Sequence, residues 1–131
     1  MKKSTKIIYS APIGIPLAGE EGALYGKPVL VITSALRVKI SLKEGNGKSS
    51  ELLHMVSTHV LQYLKKNSIS YIQKTYSSEV SSDLSSRYDA GYICAFICSA
   101  VACFLEFYSG EKYDDESINT IAYQIANFQS W

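Results

Sequence analysis

Hydrophobic and polar positions alternate with two different periods along the chain. Leu36, Val38, Ile40 and Leu42 are interleaved with Arg37, Lys39 and Ser41. That period of two predicts a strand with one wet face. Leu52, Val56, Val60 and Leu64 fall four apart, and Leu53 and Leu61 widen the stripe, which predicts an amphipathic helix. Ser49 or Ser50 stands where an N-cap is needed, with Glu51 in the first turn. Lys65 and Lys66 suit the negative end, and Asn67 can stop the helix. Gly91 to Tyr108 is almost continuously apolar and closes on Ser109-Gly110, a buried core helix. Behind Asp114 or Asp115 as a cap, Ile118, Ile121, Ala122 and Ile125 recur at helical spacing.

The remaining segments are shorter. Lys6–Ala11 has strand composition. Pro12, Gly14, Pro16 and Gly19 then break regular structure. Tyr25-Gly26-Lys27-Pro28 is a turn into a second strand, Val29–Thr33. Glu44 to Lys48 is a loop, Ile69–Tyr76 is rich in strand formers, and Ser77 to Asp89 is polar and loop-like. The order is β-β-β-α-β-α-α. Mixed order with antiparallel-type alternation predicts an α+β fold, helices packed on one face of a sheet. The 131 residues suit a single domain, 1–131, without internal repeats.

Composition narrows the function classes. A net charge of +1 gives no field to attract nucleic acid or an acidic membrane surface. The longest apolar stretch, Ala90 to Leu105, is bounded by Asp89 and Glu106 and falls short of the ~20 residues of a membrane helix. Cys94, Cys98 and Cys103 share that stretch without CxxC spacing, so they are expected as reduced, buried thiols of a cytoplasmic protein. No metal ligands are expected. His54 and His59 lack HExxH spacing, and Asp114-Asp115-Glu116 suits a helix start. The ten tyrosines are scattered, as core-edge residues rather than a stacking platform.

Ile7 to Thr33 reads IIYSAPIGIPLAGEEGALYGKPVLVIT. In Ser10-Ala11-Pro12, Leu17, Gly19-Glu20 and Tyr25-Gly26-Lys27-Pro28 it resembles, without a gap, the opening phrase of the GHMP kinases. These are the galactokinases, homoserine kinases, mevalonate kinases and phosphomevalonate kinases, and the mevalonate-kinase branch is nearest. The resemblance implies the N-terminal domain of that family, a fold related to the second domain of ribosomal protein S5. It also implies ATP and Mg²⁺ as cofactors and a small-molecule alcohol as substrate, if the chain is active.

Set against the family motifs, this sequence departs where the chemistry belongs. The family lysine of APGK falls on Gly14 and the histidine of GEH on Glu21; Glu20 matches, and is the retained candidate for a catalytic carboxylate. The family's glycine-rich phosphate loop is similar to this chain in Ser77-Ser78-Glu79-Val80 and in Ala90 to Ala95. Between them Asp83, Ser85 and Arg87 take the three glycine positions, and Tyr88 and Asp89 take the paired serines. A shifted alignment puts Gly91 on the last glycine but Tyr92-Ile93 on the serines, and restores nothing. Ser85, Ser86, Arg87 and Asp89 are the candidate cofactor-binding residues by position. Side chains there restrict φ and crowd a triphosphate, and Asp83 and Asp89 add like charge. The aspartate motif GxPSGxDN does not occur before Trp131, and the second GHMP domain is expected to be absent. The resulting expectation is a kinase-like domain that is not competent alone. The alternatives are one half of a split kinase completed by a partner chain, or a non-catalytic module that associates with itself as a homo-oligomer.

Overall fold

The computed structural model describes residues 6–18, 30–47, 49–82 and 90–128. Two long strands open it, β1 (Ile7–Ala18) and β2 (Leu30–Glu44). Then come α1 (Glu51–Lys66), β3 (Tyr76–Ser82), α2 (Ala90–Ser109) and α3 (Asp115–Phe128). The strands form one antiparallel sheet in the order β1-β2-β3. Val38, Ile40 and Leu42 on β2 are fully buried, and α2 lies across β1 and β2 on that side. Helices α1 and α3 pack on α2. One apolar cluster runs through sheet and helices, from Ile13 and Ile40 to Val60, Phe104 and Ile125. The α+β architecture with helices on one sheet face is thus as expected from the pattern.

Both flanking helices start where a capping side chain sits, and α1 stops on one as well. Ser50 Oγ accepts the backbone N–H of Leu53 at 3.1 Å, and Asp114 Oδ1 that of Ser117 at 2.8 Å. Asn67 closes α1, donating its side-chain amide to the Tyr63 carbonyl at 2.8 Å. Beyond it the N–H groups of Ser68 and Ile69 return to the carbonyls of Lys65 and Leu64. This is a Schellman ending, whose left-handed position usually holds glycine. Here Ser68 takes it, at φ 55°. Gly110, at φ 78°, ends α2.

Four expectations are corrected. The prolines and glycine of Ile7–Ala18 do not end β1, because it is an edge strand where a missing N–H is tolerated. Register shifts between Pro12 and Gly14, and between Pro16 and Ala18, absorb the misfit. At the first of these, Ile13 alone stands opposite Ser34, Ala35 and Leu36. Second, the runs Val29–Thr33 and Leu36–Leu42 are not two strands. From Leu30 on they form one strand, so the observed order is β-β-α-β-α-α.

Third, the strand after α1 is Tyr76–Ser82, not Ile69–Tyr76. Ile69 and Tyr71 pack against the core as loop residues, while Ile72 is 71% exposed and donates its N–H to the Tyr108 carbonyl. Pairing with β2 outweighs strand propensity, and the serines of β3 suffice at a sheet edge.

Fourth, α2 is 20 residues long and, from Tyr92 to Ser109, long and apolar enough to cross a membrane. Its core role therefore rests on packing rather than on shortness, with 67% of that span buried in the fold. Among the cysteines only Cys103 is buried; Cys98 is half-buried and Cys94 exposed.

Candidate functional site

Strand β2 brings the two family-like phrases together. Lys39 pairs with Ser10 on one side and Ser81 on the other, and Val38 with Ala11 and Ser82. The Ser10-Ala11-Pro12 phrase therefore lies one strand away from the end of β3, where the 83–89 segment begins. That segment leads into the N-terminus of α2 at Ala90. Strand β3 and the start of helix α2 thus follow each other in the chain order that flanks a phosphate loop. The candidate residues Ser85, Ser86, Arg87 and Asp89, and Glu20 between β1 and β2, lie outside the described residues.

The described residues nearest this junction are polar and cationic. The Arg37 guanidinium donates from Nε to Ser10 Oγ at 2.9 Å and from Nη2 to the Ser10 carbonyl at 3.1 Å. Arg37, Lys39, Ser10, Ser81 and Ser82 line a shallow pocket of about 200 Å³. In the sequence Arg37 and Lys39 are only the wet side of a strand. The register that sets them beside Ser10 and Ser81 is a tertiary fact with no local signal.

A second polar group lies beneath the sheet. The Tyr9 hydroxyl donates to Glu106 Oε1 at 2.6 Å, joining β1 to α2. Burial, then the hydrogen bond to this carboxylate, push the ionisation of Tyr9 far above its usual range. Next to it Cys103 donates its thiol proton to the Ile40 carbonyl at 3.3 Å. Burial raises the Cys103 thiol from 9.0 to about 12, so it is held protonated and is a poor nucleophile. The buried Ser57 and Tyr108 hydroxyls share a bond of 2.9 Å beside a pocket whose lining includes His54, Thr58, Lys74 and Tyr76. These contacts join elements of the core, and none presents an activated nucleophile. Among the described residues, no three His, Cys, Asp or Glu side chains come together as metal ligands.

No family model and no curated protein matches the chain. Solved structures do. The mevalonate kinase of Methanococcus jannaschii superposes with a TM-score of 0.74 at 16% identity, over 94% of this chain and 46% of that one. A second mevalonate kinase gives 0.72 at 15% identity, over 92% of this chain and 46% of that one. The chain therefore spans just under half the length of the kinases it matches. At such identities the likeness is one of fold, and that fold is the one implied by the motifs of β1 and β3, the N-terminal domain type of a mevalonate kinase.

Proposed function

We propose that this chain is a GHMP-kinase-like domain, nearest to the mevalonate kinases, that neither binds MgATP in the family's manner nor phosphorylates an alcohol by itself. The observation that carries this is the replacement of the loop glycines by Asp83, Ser85 and Arg87, and of the serine pair by Tyr88-Asp89. A phosphate loop works because bare backbone amides approach the phosphates at a helix N-terminus. Side chains at those positions hold the phosphates off, and two added carboxylates repel them. Gly14 removes the lysine ammonium that would favour the substrate alkoxide. The kinase-like fold and the β3–α2 junction support the descent. Calorimetric titration with MgATP should give no saturable heat. A coupled assay of ADP release with mevalonate, galactose or homoserine should stay at background. Saturable binding or turnover above background would overturn the reading.

The 46% coverage of each kinase favours a second reading. In it, a complementary GHMP domain bearing GxPSGxDN, in this polypeptide or another, completes a site to which Glu20 contributes. Purification from the native cell should then recover that domain together with this one, and recovery without it would sink this second reading.

A further inference from the structure

The pocket beside the Ser57–Tyr108 pair has a volume of about 370 Å³, inside the roughly 300–1,000 Å³ of small-molecule sites. Its walls come from the turn after β2, from α1, from the segment leading into β3 and from the end of α2. Ser57 and Tyr108 are 5% and 4% exposed. Their hydroxyls share one bond of 2.9 Å and make no other hydrogen bond among the described residues. Two hydroxyls carry two protons, and one bond uses one of them. The second proton needs an acceptor, because a buried donor left without one is costly. The pocket that both residues line is where such an acceptor can enter.

Lys74 lines the same pocket. Its ammonium lies 4.5 Å from the centre of the Phe107 ring. That buried ring is in edge-on contact with Tyr76 and Tyr108, at centroid distances of 6.3 and 5.3 Å. A rigid aromatic group therefore sets the position of the charge. His54 is the other lining side chain that can become a cation. Among the described residues that line the pocket there is no carboxylate; Glu44 and Glu51 are near in sequence but do not line it.

We propose that this pocket binds a small phosphate monoester, its phosphate oxygens accepting from Lys74 and from the Ser57–Tyr108 hydroxyl pair. The charge calls for an anion, the spare proton for an acceptor, and the width of the pocket for more than a bare carboxylate. A tetrahedral phosphate offers acceptors in several directions and can meet both donors at once. The site stands at Tyr76, the opposite end of β3 from Ser82 and about 20 Å from it. It does not depend on whether a nucleotide binds at the β3–α2 junction.

Inorganic phosphate or phenyl phosphate, titrated into the isotope-labelled chain at constant ionic strength, should shift the amide resonances of Gly47, His54, Lys74 and Tyr76. The shifts should saturate in about the millimolar range, and acetate should not reproduce them. Lys74→Met should weaken binding at least about tenfold. The double variant Ser57→Ala with Tyr108→Phe should weaken it at least about threefold. Replacing both partners leaves no buried donor unpaired, so this variant should keep its far-ultraviolet circular dichroism. Absence of saturable shifts would overturn the proposal. So would an equal response to acetate, shifts confined to Ser10, Lys39 and Ser81, or unchanged binding in Lys74→Met.

Discussion

Tyr9 on β1 and Glu106 on α2 are 97 positions apart in sequence, yet their side chains meet at 2.6 Å, hydroxyl to carboxylate. The bond spans the boundary between sheet and helix layer, the contact on which the core is built. Tyr9→Phe removes the donor and leaves the half-buried carboxylate without it. The variant should lose about 1.5–2 kcal/mol in denaturant unfolding near neutral pH, the lower part of the range for bonds to charged groups because the pair is only half-buried.

The same region sets the alkaline limit. Folded Cys103 holds its proton until about pH 12, whereas the unfolded chain releases it near 9.0. Between those values the unfolded state binds fewer protons, so stability falls as pH rises. Tyr9, also pushed upward, acts in the same direction above its ordinary 10.0. Thermal unfolding should show Tm falling progressively above about pH 9, and Cys103→Ala should flatten the first part of that fall. A Tm level to about pH 11 would contradict this assignment.

The two helix caps should separate under acid. Ser50→Ala deletes the cap on Leu53 and should lower stability by about 1 kcal/mol at any pH. Asp114 is held below its ordinary 3.8 by its bonds to Ser117. Its contribution is therefore present above 3.8 and disappears as pH falls through the lower folded value. Wild type and Asp114→Ala should differ near neutrality and converge in strong acid, as unfolding curves at the two pH values will show.

At Ser68 the chain carries a serine in a glycine's conformation, φ 55°. Ser68→Gly relieves a strain of about 1–2 kcal/mol. Part of that gain is offset by the greater freedom of glycine in the unfolded chain. A net rise of about 0.5–1 kcal/mol in unfolding free energy is expected, and a fall would show that Ser68 is held by something other than the helix ending.

Helices were legible because each carries its own evidence. The stripe from Leu52 to Leu64, a cap at Ser49 or Ser50, another at Asp114 or Asp115, and the Ser109-Gly110 stop each lie within one element. Strands were legible only in part, because a strand is decided by its partner. Ile69–Tyr76 looks like a strand and Tyr76–Ser82 does not, yet β2 pairs with the second. Likewise Pro12, Gly14 and Pro16 signal a break, but an edge strand with shifted register accommodates them. The family-like phrases around Ser10 and Ser77 pointed to the fold, and the strand register sets them on either side of β2. Arg37 and Lys39 were invisible as site neighbours, since their placement beside Ser10 and Ser81 comes from pairing alone. Glu20 and the 83–89 segment lie outside the described residues, so their roles rest on sequence.

Helix α2 has the length and apolarity of a bilayer-crossing segment, although most of it is covered by the rest of the fold. Chains emerge from the ribosome N-terminus first, so β1, β2 and α1 are already made when α2 appears. The surfaces of β1, β2 and α1 that pack on it are waiting, and of the described elements that touch it α3 is still to come. Damage to β1 or β2 would leave a greasy helix without its cover during synthesis. Such variants are expected to be lost to aggregation or to stray insertion into lipid before folding stability is ever at issue.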